Sequence, residues 1–138
     1  MKCHLSLLIL LLVTVSVSWG AEVILIVHPQ NPNDSISQKD AEKIYFNKKT
    51  TWDDGSSITP YAQKDPAIQR HFVEQVLDKS MDRYILFWRK AIFTGKGTPP
   101  KEVEDNATVK QLVGSNPQAI GYITIDALDD SVKKMTLN

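Results

Sequence analysis

The sequence is poor in groups that carry covalent chemistry. Its 138 residues hold one cysteine, Cys3, and three histidines. A lone cysteine closes no internal disulfide and builds no thiolate metal site. An excess charge of one sign is missing too, since 16 basic residues balance 16 acidic ones. Non-specific binding to a polyanion needs a basic excess, so nucleic acid is excluded as a partner, and the overall balance predicts no polybasic membrane patch. Long apolar runs are absent beyond the first twenty residues. A chain that is 42% hydrophobic and 23% charged has the composition of an ordinary globular protein.

What is present begins with an export signal. Residues 1–20 read as a signal peptide: Lys2 supplies a short positive start, and Leu5 to Val15 is almost continuously apolar. Ser18 and Gly20 fit the small-residue positions before a cut after Gly20, whereas a cut after Ala21 would put bulky Trp19 in one of them. The other reading is an uncleaved anchor. It is disfavoured because the run is short for a hydrocarbon core about 30 Å thick. Cleavage removes Lys2 and Cys3, so residues 21–138 form a cysteine-free α/β domain that holds its fold without disulfides. Such a length suffices for one hydrophobic core.

Strand and helix signals alternate through that domain. Val23–Val27 is a β-branched run expected to be covered on both faces. Ser37 is an N-cap with Asp40 three residues on, and Ala41, Ile44 and Tyr45 share one helical face. Trp52-Asp53-Asp54-Gly55 is a turn. Residues 57–62 suit a strand that Pro60 confines to an edge or an irregular position. Asp65 and Pro66 open a helix whose stripe is Ile68, Phe72, Val73, Val76 and Leu77. Ser80 caps another, with Met81, Tyr84, Ile85, Trp88 and Ile92 inward and Leu86, Phe87 and Phe93 widening its arc. This helix is expected to be the most buried. After the Gly95–Pro100 loop come a helix over 106–113, a strand over 119–125 and a last strand over 132–137. Strands separated by helices predict a three-layer α/β domain with a mixed sheet flanked by helices.

Catalysis finds little support. No serine lies in a nucleophile-elbow pattern, and the pairs Asp53-Asp54 and Asp129-Asp130 belong to solvated turns. The chain therefore does not read as an enzyme, and no cofactor is called for. His28 and His71 share no metal-ligand spacing. His28, ending the first strand, is the better ligand-binding candidate because strand ends line crevices in open α/β sheets. Gly95-Lys96-Gly97-Thr98 lacks the P-loop spacing. It could still offer N–H groups and a lysine to a small anion, or be a loop with two positive-φ glycines. The helix start at Asp65-Pro66, with Lys64, Gln69 and Arg70, is the second anion candidate; an ordinary capped helix is the alternative. The sequons at Asn33 and Asn106 matter only in a glycosylating host.

Taken together, Ile24–Pro29, Asp40–Lys49, Trp52–Gly55, Phe72–Leu77, Phe87-Trp88, Phe93–Pro100 and Asn116–Tyr122 resemble one family. It comprises the short single-domain relatives of the phosphate-binding protein of bacterial ABC transporters, in the type 2 periplasmic-binding-protein superfamily. The resemblance spans about residues 23–133. It implies one lobe of a two-lobed binding protein, a periplasmic location, phosphate as ligand and a membrane transporter or sensor subunit as partner. The full-length receptors carry an Arg-x-Asp-Gly-Ser-Gly-Thr segment at a helix start. Here the matching stretch is Gln63 to Gln69, which keeps only Asp65. Proline brings no N–H, and the hydroxyl donors are gone. A phosphate dianion needs many charge-assisted hydrogen bonds to offset its desolvation. Millimolar rather than micromolar affinity is expected, a difference of about 4 kcal/mol. A solute-binding protein holding a small oxyanion weakly, or an interaction module that contacts an envelope partner or a second copy of itself, are the two functional expectations.

Overall fold

β-Branched residues favour extended backbone, and a run of them with no polar break must be covered on both sides. β1 (Val23–Val27) is such a run, and all five residues are buried. The computed structural model describes residues 22–138. The signal-peptide reading of residues 1–20 therefore lies outside the described residues.

The other elements follow in chain order as β2 (Ser35–Ile36), α1 (Gln38–Tyr45), β3 (Thr59–Gln63) and α2 (Pro66–His71). Next come α3 (Met81–Phe93), β4 (Lys101–Val103), α4 (Asn106–Ser115), β5 (Ala119–Thr124) and β6 (Lys133–Leu137). Helix α2 continues directly into a π-helical segment, Phe72–Val76. The six strands form one mixed sheet in the order β2-β6-β1-β5-β3-β4. β1 is antiparallel to both its neighbours, while β2 runs with β6, and β3 runs with both β4 and β5. Only β1 therefore runs against the rest.

Alternation along the strands builds the three expected layers. Leu25, Val27, Ile120, Tyr122 and Met135 face α1, the π-helical segment and α3. Ile24, Ile26, Ala119 and Ile123 face the other way, onto Val109 and Val113 of α4. Gly121 lets α4 approach, since a Cβ there would lie 2.7 Å from Val109 Cγ1.

The local signals hold where they are chemical. Ser37 accepts from the Asp40 N–H, Asp65 from those of Ala67 and Ile68, and Ser80 from that of Arg83. Pro60 sits in an interior strand, but only β5 flanks it there, because β4 pairs from Tyr61 onward. The Thr59 N–H points to Gln118 on the β5 side, and the Lys64 N–H to Val103 of β4. By alternation, the N–H that proline lacks would face the side β4 has not yet reached.

One expectation is corrected. Helix α3 is not the most buried: Met81, Tyr84 and Trp88 are buried, but Leu86 is 64% and Phe93 91% exposed, with Ile85 and Ile92 exposed beside them. The described helices cover the sheet with one stripe of α3, and the rest of its apolar arc faces solvent. Ala41 and Tyr45 of α1 and Val109 and Val113 of α4 are fully buried instead, and Phe72 and Val73 of the π-helical segment nearly so.

Candidate functional site

In an open α/β sheet the polar end lies beyond the carboxyl ends of the parallel strands, where backbone groups leave the ladder and helices begin. Here that end is formed by β3, β4 and β5. Gln63, the last residue of β3, is fully buried. Its backbone N–H donates to Tyr122 Oη at 3.0 Å, and its Nε2 donates to Asn106 Oδ1 at 2.8 Å and to the Tyr122 carbonyl at 2.9 Å. Gln63 Oε1 has no partner. Asn106, opening α4, ties in β5 by donating from Nδ2 to Thr124 Oγ1 at 2.7 Å. Below lies a stacked pair, Phe72 and Tyr122, with ring centroids 3.8 Å apart and an interplanar angle of 10°. Burial pushes the Tyr122 phenol up from its ordinary pKa.

The helix-start candidates gather at this end, and their polar groups are already engaged. Asp65 Oδ1 takes the Ala67 and Ile68 N–H groups at 2.9 and 3.2 Å, so the carboxylate occupies the place an anion would need. Lys64 Nζ donates to Glu104 at 2.6 Å, and Arg70 to Glu74 at 3.3 Å. Gln69 Nε2 lies 3.5 Å from Glu102. Lys64 and Arg70 thus face carboxylates of the chain itself, Glu104 and Glu74.

The Gly95–Thr98 loop stands elsewhere, at the carboxyl end of α3. The Gly95 and Lys96 N–H groups donate to the Ile92 and Ala91 carbonyls at 3.2 and 2.9 Å, closing the helix. A helix C-terminus carries partial negative charge, which opposes an anion. Of the two glycines only Gly95 has positive φ, at 66°. At Gly97 a Cβ would lie 2.6 Å from the amide end of the exposed Asn47 side chain and 3.5 Å from Trp88, so that one movable side chain limits the space there. Gln69 and, past the loop, Pro99 and Pro100 do share a groove of about 310 Å³, which Arg89 and Glu102 line together.

His28 belongs to neither group. It follows Val27, which pairs with Ile120 near the start of β5, whereas Gln63 and Thr124 mark the opposite end of the sheet. Its Nδ1 accepts the Gln30 N–H at 3.0 Å inside a turn. Among the described residues, no three His, Cys, Asp or Glu side chains converge as a metal site. None of the described helices is long and apolar enough to cross a membrane.

Sequence reasoning missed a different cluster. Lys48 at the end of α1, Arg83 and Lys90 on α3, and Lys96 in the loop surround a shallow apolar trough over Phe46 and Phe87. The signal was present in α3, whose apolar arc is wider than a helix packed on one side needs and is interrupted by cations.

No protein-family model matches the sequence, and no curated protein matches it. Solved structures do match in fold. A phosphate transport receptor of the ABC type from Vibrio cholerae superposes with a TM-score of 0.65 at 21% identity, over 85% of this chain and 46% of that one. A Clostridium perfringens protein with bound phosphate, assigned as a phosphate ABC transporter substrate-binding protein, gives 0.68 at 23% identity, over 85% and 45%. PstS from Borrelia burgdorferi gives 0.63 at 14%, over 86% and 47%. The chain thus has the fold found in phosphate-binding proteins of this kind, and it spans slightly less than half the length of each of these structures.

Proposed function

We propose that the chain is an exported, periplasmic, non-enzymatic binding protein built as a single receptor-type lobe, with weak affinity for small oxyanions and with protein contact as its main work. The fold shared with phosphate receptors supports the binding role. One observation carries the weak affinity: the helix start that would cradle an anion is capped by its own Asp65, opened by Pro66 and flanked by Glu74, Glu102 and Glu104. An anion held there would have to displace a carboxylate from two N–H groups against like charge. Lys96 in the loop offers charge, but the Gly95 and Lys96 N–H groups are already used by the end of α3.

Isothermal titration of residues 21–138 with phosphate and sulfate tests this reading. Heats that saturate only at about millimolar ligand, or no heat, are the expected result. Saturation at micromolar phosphate would overturn it. The interaction role is favoured by the exposed apolar and cationic face of α3. Co-purification from envelope extracts, with sizing by light scattering, tests that role. A monomer that captures nothing would count against it.

A further inference from the structure

We propose that the trough between the end of α1 and the outer face of α3 docks an acidic segment of a partner protein that carries interleaved apolar side chains. The proposal rests on the interaction role above and gives it a surface and a partner chemistry.

The trough is preformed. Phe46 is buried at its floor, 5.1 Å from Phe87 and 5.5 Å from Tyr84, both in edge-on contact. Trp88 holds the wall by donating from Nε1 to the Tyr45 carbonyl at 3.1 Å. Two cavities of about 280 and 300 Å³ share Phe46, Lys48, Phe87 and Lys90, so they adjoin along α3. Leu86 lines the trough and is exposed, and Phe93, seven residues on and so on the same side of α3, is exposed as well. Apolar groups left in water this way mark contact surfaces when they gather around a concave site.

Charge selects the occupant. Among the described residues, Lys48, Arg83, Lys90 and Lys96 make no ion pair, and Lys79 uses Glu42 at 3.6 Å. A partner with carboxylates at the rim and leucine or phenylalanine side chains in the trough satisfies both features. A symmetric second copy does not, because it would bring the same cations against one another. A flat anionic bilayer reaches Leu86 and Phe93 but not the recessed Phe46.

Selection of a random dodecapeptide display library on the purified protein tests the proposal. Enrichment of Asp or Glu interleaved with Leu, Ile or Phe is expected. A selected peptide should bind about tenfold more weakly to Lys48→Glu/Lys90→Glu and to Leu86→Ser. Lys134→Glu, on β6, should bind it as the parent does, and all variants should keep the parent melting temperature within a few degrees. Selected peptides that lack acidic residues, or binding indifferent to the trough variants, would overturn the proposal. So would avid binding to phosphatidylglycerol vesicles that those variants abolish, or self-association that they dissolve. If envelope extracts yield a partner that the Lys48→Glu/Lys90→Glu protein still captures, the interaction role stands and this surface fails.

Discussion

The crevice at the ends of β3, β4 and β5 and the outer face of α3 treat polar groups in opposite ways. In the crevice, Lys64 meets Glu104, Arg70 meets Glu74, and Asp65 caps its own helix. On α3, cations stand unpaired beside Leu86 and Phe93 in water. Charges answered inside the chain have less left to offer a ligand, although such exposed pairs add little to stability. Charges left unanswered beside apolar surface lower the free energy only when something arrives. The proposed contact role therefore sits where charge partners are missing, and not at the helix start, whose groups are engaged.

The sharpest way to break this contrast is to cut the crevice from below. Tyr122→Ala removes the ring stacked on Phe72 and the hydroxyl that accepts the Gln63 N–H. A loss of about 3–5 kcal/mol is expected in urea unfolding, and a loss under about 1 kcal/mol would show the crevice to be less integral than described. Glycine replacements compare the regions next. Gly121→Ala drives a methyl into Val109 and Val113 beneath α4 and should cost about 1–3 kcal/mol. Gly97→Ala meets mainly the end of the Asn47 side chain, which can swing into solvent, so about 0.5 kcal/mol is expected.

Phe93→Ser should leave stability within about 0.5 kcal/mol of the parent while weakening capture of the selected peptide. A large stability loss would place Phe93 in the core after all. The smallest effect concerns pH. Hydrogen bonding to Lys110 first, and then to Ser131, holds the Asp129 carboxyl down at about 2. A carboxyl with lowered pKa adds stability that is complete above its ordinary value of about 3.9 and is lost as the pH falls toward about 2. Asp129→Asn should therefore be slightly less stable than the parent at neutral pH and equal to it near pH 2, so that its stability falls less steeply through that window, measured by urea unfolding followed by circular dichroism.

Chemistry confined to a few consecutive residues could be read from the sequence. Ser37, Asp65 and Ser80 act on N–H groups two or three residues away, so their caps needed no tertiary knowledge. β1 was legible because an unbroken apolar run admits one environment. β2 and β4, with two and three residues, are too short to show a period and exist because longer strands pair with them. The exposure of α3 was hidden because periodicity marks a face without saying how much of it finds a neighbour. The engaged state of Lys64 and Gln69 was hidden for another reason. Glu104 and Glu102 lie 40 and 33 residues away and arrive only through the β3–β4 pairing.

The reversed direction of β1 has a consequence for assembly. β1 lies between the last two strands, joined to β5 and β6 and, among the described residues, to no other strand. As the polypeptide emerges, residues 23–27 carry an apolar, fully hydrogen-bonding segment that has no ladder to join until residues 119–137 have appeared. The centre of the sheet can thus close only when nearly all of the chain is free. This order delays stable folding until late and makes the closing step one of long loop closure.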